Sequence, residues 1–177
     1  MKLIILDRDG VINEDSPDYI KSVDEWHPIP GSLEAIALLN QFGYTVAVAT
    51  NQSGLARGFY DETTLNAIHD KMRLSAKTVG GHIDSIFYCP HGPNDHCDCR
   101  KPKPGLLQQI AAHYQISLTT VPYVGDSYRD LDAANRAGAV PILVLTGNGH
   151  KALSVDSAFD FAHFDNLLAF AKTLKNS

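Results

Sequence analysis

Two aspartates, Asp7 and Asp9, sit one residue apart directly behind the apolar run Leu3 to Leu6, and Gly10 follows them. In extended backbone alternate side chains share a face, so both carboxylates are expected to project the same way. Like charges this close disfavour joint ionisation unless a cation offsets them. One reading is a solvated strand-end turn with two surface aspartates. The other is a reactive pair at a Mg²⁺ site. There one carboxylate attacks phosphorus to give an aspartyl-phosphate, and its neighbour protonates the leaving oxygen and later activates water. Gly10 allows a sharp turn or a close backbone approach.

Phosphate-ester chemistry also needs positive charge and hydrogen-bond donors around the transferring group. Three other stretches offer these. Thr50 carries a hydroxyl and Asn51 a backbone N–H suited to a phosphoryl oxygen. Arg100-Lys101-Pro102-Lys103-Pro104 is a basic run just ahead of an expected helix, whose N-terminus adds positive potential. Gly125-Asp126-Ser127-Tyr128-Arg129-Asp130 supplies further carboxylate. Taken singly, these are equally a polar loop, a solvated basic loop and a helix cap.

A second cluster calls for different chemistry. Cys89, His91, Cys97 and Cys99 place three thiols and an imidazole within eleven residues. Odd-numbered cysteines make a poor disulfide framework, whereas a Cys₃His set satisfies tetrahedral Zn²⁺. His96 is the competing imidazole, but the spacing favours His91. With four protein ligands such a zinc is structural, and it would fix the loop that carries Arg100 and Lys101. The alternative is free thiols in a mobile loop.

The elements that must position these residues alternate strand and helix. Strands are expected at Leu3 to Leu6, Tyr44 to Ala49, Ile83 to Tyr88, Val121 to Val124 and Val140 to Leu145, with a possible sixth at Phe159 to His163. Helices are expected after Ser32 (as N-cap), after Asp61, from Pro104, over Arg129 to Ala137, and around Leu167 to Leu174. Trp26 and Ile29 are expected to pin the polar segment from Asn13 to Pro30 to the core. This alternation implies an α/β fold with a doubly wound parallel sheet and right-handed crossovers. Ligands bind such sheets beyond the carboxyl ends of the strands, where Asp7, Asp9, Thr50 and Asp126 all fall.

The 177 residues suggest one domain, 1–177, and 44% hydrophobic content suffices for a core. A net charge of −5 argues against nucleic acid or an anionic membrane as partner. No apolar run approaches a membrane span or a secretory signal, so a cytoplasmic protein is expected. Neither a dinucleotide fingerprint nor a Walker A sequence is present.

Together these motifs resemble the haloacid dehalogenase-like (HAD-like) phosphohydrolase superfamily, over about Leu3 to Leu145. The resemblance implies a nearly capless HAD-like Rossmannoid sheet with Asp7 as nucleophile, Asp9 as general acid and base, and Thr50 and Lys101 at the phosphoryl group. It implies Mg²⁺ held by Asp7, the Asp9 backbone carbonyl and Asp126, with Asp130 in support. Within the superfamily, Asp7 to Asn13, Thr50 to Gly58 and Cys99 to Pro102 are most similar to the heptose-bisphosphate phosphatase branch. Histidinol-phosphate phosphatases are its close relatives and the second choice. The branch pattern implies substrate contacts from Asp15, Ser16, Pro17, Asp18, Thr50, Asn51, Gln52, Ser53, Arg57, Arg100 and Lys101, and it matches His91 as the zinc ligand. It further implies action on a small phosphorylated sugar in ADP- or GDP-heptose precursor synthesis, towards lipopolysaccharide, and a monomer is expected. Ser127 departs from the pattern, because a lysine can follow the fourth-motif aspartate; Lys103 is the candidate to replace it. A reading from another class, a catalytically silent zinc-stabilised binding module, is opposed by the intact set Asp7, Asp9, Thr50, Lys101 and Asp126.

Overall fold

The computed structural model describes residues 1–174, so the last three residues of the expected 1–177 domain lie outside it. Six strands, β1 (Lys2–Leu6), β2 (Tyr44–Asn51), β3 (Ser85–Cys89), β4 (Pro122–Gly125), β5 (Val140–Val144) and β6 (Ala162–Phe164), form one sheet in the order β3-β2-β1-β4-β5-β6. Every pairing is parallel. The order runs outward in both directions from β1 and β4, so the topological switch point lies between these two strands. Asp7 and Asp126 each follow one of them.

The period of the strands sorts the core into two layers. Ile4 and Leu6 of β1 face a cluster with Ile36, Leu39, Ile68, Met72 and Phe170, which belong to α1 (Ser32–Gln41), α2 (Glu62–Thr78) and α6 (Leu167–Ala171). Leu3 and Ile5 face the opposite layer, packing with Leu106, Leu107, Ile110, Ala133 and Ala134 of α3 (Gly105–Tyr114) and α4 (Tyr128–Ala137). This two-sided burial explains why β1 reads as a continuous apolar run. Trp26 is fully buried in the first layer, together with Ile20, holding the segment between β1 and α1 there, and Ile29 is buried as well.

Two local expectations are corrected. Ser32 does not cap α1; Gly31 does, with φ 86°, and Ser32 is the first helical residue, donating its hydroxyl to the Val11 carbonyl at 2.7 Å. The hydroxyl is spent tying the helix to the β1 loop, and the left-handed turn that starts the helix favours glycine. A short helix α5 (Gly149–Leu153) follows β5, where the sequence reading placed no element. Asp61 caps α2 as anticipated, accepting from the Thr64 N–H at 2.8 Å.

Candidate active site

One cavity of ≈ 230 Å³ opens at the carboxyl ends of β1, β2 and β4. Asp7, Asp9, Asp15, Ser16, Thr50, Asn51, Gln52, Ser53, Arg100, Lys101 and Asp126 all line it. Strand polarity explains the convergence: every crossover returns the chain to the same end of the sheet.

Asp7 is nearly buried and prolongs β1, its N–H donating to the Val124 carbonyl at 2.9 Å. Its Oδ1 accepts from the Arg8 N–H at 2.7 Å and lies 2.9 Å from Lys101 Nζ, whereas Oδ2 accepts no hydrogen bond among the described residues. One oxygen of this cavity-lining side chain is therefore anchored, and the other is left without a hydrogen-bond partner among the described residues. Lys101 Nζ also reaches Asp130 at 2.7 Å and the Ala49 carbonyl at 3.1 Å. Burial opposes the ammonium charge, but Asp130 and Asp7 outweigh it and hold Lys101 above its ordinary pKa. The loop carrying Lys101 is clipped to β2 by the Asn51 side chain, which accepts from the Lys101 N–H at 3.0 Å and donates to its carbonyl at 3.2 Å.

Asp9 also faces the cavity, held there by a tight turn in which the Arg8 carbonyl accepts from the N–H groups of Val11, Ile12 and Asn13. Its Oδ1 accepts from Arg8 Nε and Nη2 at 3.0 and 2.8 Å and from Asn13 Nδ2 at 3.0 Å; Oδ2 accepts from Gln52 Nε2 at 3.0 Å. Burial works to raise its pKa, yet the Arg8 charge and these hydrogen bonds hold it below the usual carboxylate range. Arg8 is itself buried and places Nη1 3.2 Å from His69 Nε2. A guanidinium only donates, so Nε2 accepts and the ring is neutral. Burial and the Arg8 charge push His69 down to about 3.

Asp7 and Asp126, with Asp130, bring carboxylate oxygens within 4.8 Å of one another. Asp130 is already spent: it takes Lys101 and the Tyr123 hydroxyl on one oxygen and the Ser127 N–H and hydroxyl on the other, closing a capping box on α4. Asp7 and Asp126 keep surplus negative charge. Burial raises both well above the ordinary carboxylate value, the Asp130 charge adds to it, and Asp126 reaches about 7. A hard divalent cation is the counter-charge this arrangement lacks, and the carboxylate oxygens of Asp7 and Asp126 are the hard donors that fit one.

The Cys89, His91, Cys97 and Cys99 ligand atoms also gather within 4.8 Å, at the carboxyl end of β3. Burial raises the Cys89 and Cys99 thiols, so the bare cluster keeps them protonated; a bound soft dication would reverse this. The geometry fits zinc.

Several expected residues stand elsewhere. Arg57 is exposed at the rim, its guanidinium 5.8 Å from the Tyr19 ring centre. Asp18 lines an adjoining groove, and Pro17 is exposed and lines neither hollow. Lys103 is not among the residues lining the cavity, and its ammonium bonds the Cys97 carbonyl. Arg129 lines the cavity instead, and its charge, after burial, lowers the pKa of Arg100. Sequence reading missed Arg129, although it lies inside the motif after β4. It also missed Asn148, whose N–H donates to Asp126 Oδ2 at 2.9 Å and whose side chain donates to Asp15 at 3.0 Å. Its signal was the Thr146-Gly147-Asn148 turn just beyond the carboxyl end of β5.

A parallel sheet with an aspartate pair at its switch point, a buried lysine and a second acidic motif defines a HAD-like hydrolase, and residues 98–168 match the HAD-hydrolase-like family. The chain is 56% identical to the D-glycero-β-D-manno-heptose-1,7-bisphosphate 7-phosphatase of Pseudomonas putida, covering 98% of this chain and 99% of that one. It is 61% identical to the protein of the same name from Bordetella bronchiseptica, over 87% and 86% of the two chains. A crystal structure of D,D-heptose 1,7-bisphosphate phosphatase from B. bronchiseptica, complexed with magnesium and phosphate, superposes with a TM-score of 0.96 at 56% identity, covering 98% and 97%. The chain belongs to the family of D-glycero-β-D-manno-heptose-1,7-bisphosphate 7-phosphatases.

Proposed function

We propose that this protein removes the 7-phosphate of D-glycero-β-D-manno-heptose 1,7-bisphosphate, with Asp7, Asp9, Thr50 and Lys101 carrying the chemistry. The observation that carries the reaction class is the asymmetry of Asp7: Oδ1 is held by Lys101 and the Arg8 N–H, and Oδ2 is left for the substrate. The substrate follows the names of the relatives, which favour heptose bisphosphate over histidinol phosphate and, at 56 and 61% identity, the β over the α anomer. The convergent acidic and basic groups speak against a silent binding module.

In this reading Asp7 Oδ2 attacks the phosphorus in line with the ester bond. Asp9 rests as a carboxylate, so it first takes up a proton from the incoming phosphate monoanion; as the bond to the sugar oxygen breaks, that proton passes to the sugar oxygen, giving the alcohol and an aspartyl-phosphate. Asp9, now a carboxylate, takes a proton from water attacking the same phosphorus, and phosphate leaves with Asp7 restored. Lys101 and the Thr50 hydroxyl steady the phosphoryl oxygens through both halves. A magnesium ion held by Asp7, Asp126 and the Asp9 carbonyl would supply the positive charge that lets the carboxylates and phosphate share one site. Zinc on Cys89, His91, Cys97 and Cys99 would be structural. We assign Asp15, Ser16, Asn51, Ser53, Arg100 and Arg129 to substrate recognition, on the strength of their place around the cavity. A cytoplasmic monomer serving heptose-nucleotide precursor synthesis completes the proposal; no described helix is long and apolar enough to cross a membrane.

The test is a kcat/KM panel with β- and α-heptose bisphosphate and histidinol phosphate, run beside Asp7→Asn and Asp9→Asn. Preference for the β-heptose bisphosphate is expected, with no turnover in Asp7→Asn and a loss of about 10²–10⁴-fold in Asp9→Asn. Faster turnover of histidinol phosphate overturns the substrate, and an active Asp7→Asn overturns the nucleophile.

A further inference from the structure

Tyr60 lies outside the cavity lining, yet it ends a hydrogen-bond chain that enters the site. Its hydroxyl is 2.6 Å from Gln52 Oε1, and Gln52 Nε2 lies 3.0 Å from Asp9 Oδ2 and 2.9 Å from Thr50 Oγ1. Gln52, Thr50 and Tyr60 are all buried.

The direction of each bond follows from what the groups can do. The Asp9 carboxylate only accepts, so the amide nitrogen must face it. The amide oxygen then faces Tyr60, which must donate. Each of the two amide hydrogens has one taker, Asp9 or Thr50. Without the Tyr60 donor the amide oxygen would be buried unpaired, a penalty that flipping the amide or moving the side chain would relieve. Tyr60 therefore selects the amide orientation that serves both Asp9 and Thr50.

Two consequences reach the chemistry. Thr50 Oγ1 accepts from Gln52, which leaves its own hydrogen for another acceptor; among the described residues only the Asn51 carbonyl, at 3.5 Å, is offered. At Asp9 three donors occupy Oδ1, whereas Oδ2 takes one and keeps spare acceptor capacity. Gly54 makes the arrangement possible, since a Cβ there would stand 2.3 Å from Tyr60 Cε1.

We propose that Tyr60, acting through the Gln52 amide, is a positioning residue that sets Asp9 Oδ2 as the oxygen from which the leaving group is protonated. The proposal rests on the reading of Asp9 as general acid. In the step concerned, the ester P–O bond breaks with its electron pair on the sugar oxygen. The proton that Oδ2 has taken up from the incoming phosphate monoanion moves to that oxygen, and Asp9 is left again as the carboxylate.

The experiment compares two leaving groups. A sugar oxygen needs the proton; p-nitrophenolate, a far weaker base, leaves without it. Tyr60→Phe keeps the ring against Gly54 and removes only the donor. For this variant the ratio of kcat/KM on p-nitrophenyl phosphate to kcat/KM on the heptose bisphosphate is expected to rise about tenfold over wild type, less than the ~10²–10⁴-fold of full acid catalysis because Asp9 itself remains. Gln52→Met, of similar volume but without donors, is expected to raise it in the same direction. Asp9→Asn serves as the reference for complete loss of the acid. An unchanged ratio in both folded variants overturns the relay if Asp9→Asn itself shows the leaving-group dependence. No dependence in Asp9→Asn overturns instead the acid assignment beneath it. A fall in thermal stability alone, with the ratio unmoved, marks Tyr60 as packing only and counts against the proposal.

Discussion

Gly10 and Asp126, from loops on either side of the switch point, approach so closely that a Cβ on Gly10 would stand 2.0 Å from Asp126 Oδ2. Gly10 also has φ 82°, where a side chain strains the backbone. Both conditions fall on one residue because the β1 turn must pass under the carboxylate that faces Asp7. Gly10→Ala is therefore expected to displace Asp126 by about an ångström and lower kcat/KM about 10²-fold, a loss typical of misplacement on that scale. Magnesium titration of activity should show a raised half-saturation concentration. An unaltered magnesium dependence would separate Gly10 from the metal site.

The zinc cluster makes a prediction about position. The loop from Cys89 to Cys99 ends directly on Arg100 and Lys101, and the Lys103 ammonium is tied to the Cys97 carbonyl. Cys97→Ser is expected to lose zinc by metal analysis, melt several degrees lower and fall in kcat, because ligand binding and loop folding are one event. Zinc-free protein with full activity and unchanged melting would show that the loop needs no metal to deliver Lys101.

His69 gives the acid limb of stability. Its folded pKa, about 3, lies below the ordinary histidine value of 6.5, so between these pH values the unfolded chain binds the extra proton. Stability then rises with pH through this window and falls as pH drops below about 6.5. From pH 6.5 to 5 the loss from this group amounts to about 2 kcal/mol at most. His69→Gln keeps an acceptor for Arg8 and cannot titrate. Its stability by urea melts at pH 5 and pH 7 should differ less than that of the wild type; an identical difference would deny His69 the buried neutral state.

What the chain revealed in advance, and what it withheld, divides along a physical line. Asp7, Thr50, Lys101 and Asp126 were legible because each follows a local strand or turn signal and parallel topology carries strand ends to one place. The Cys₃His cluster was legible because its ligands are near neighbours in sequence. The support around them was not. Arg8 reads as a charged loop residue, yet it is buried against His69, 61 positions away. Gln52 reads as a substrate contact, yet both its donors and its acceptor are taken by the protein. Side-chain direction in a loop has no period to read, so partners distant in sequence stay hidden until the fold is known. The start of α1 slipped by one residue for a related reason: the serine looked like a cap and was committed to the Val11 carbonyl.

Arg100 and Arg129 bear on which end of a bisphosphate meets Asp7. Both line the cavity, and the charge of Arg129 is felt at Arg100. No carboxylate forms an ion pair with either among the described residues. Two unneutralised guanidiniums side by side repel, and a dianionic phosphate between them removes that repulsion while filling their donors. The phosphoryl group being cleaved already has Lys101, so the arginines are expected to hold the remote phosphate. Arg100→Ala and Arg129→Ala should each lower kcat/KM for the heptose bisphosphate by about 10- to 10²-fold, the range of one charge-assisted hydrogen bond. Turnover of a small monophosphate such as p-nitrophenyl phosphate should change much less. Part of the loss is expected in kcat, since binding energy from a remote group can be used at the reacting centre. Equal losses on both substrates would instead place the mutated arginine at the phosphoryl group itself.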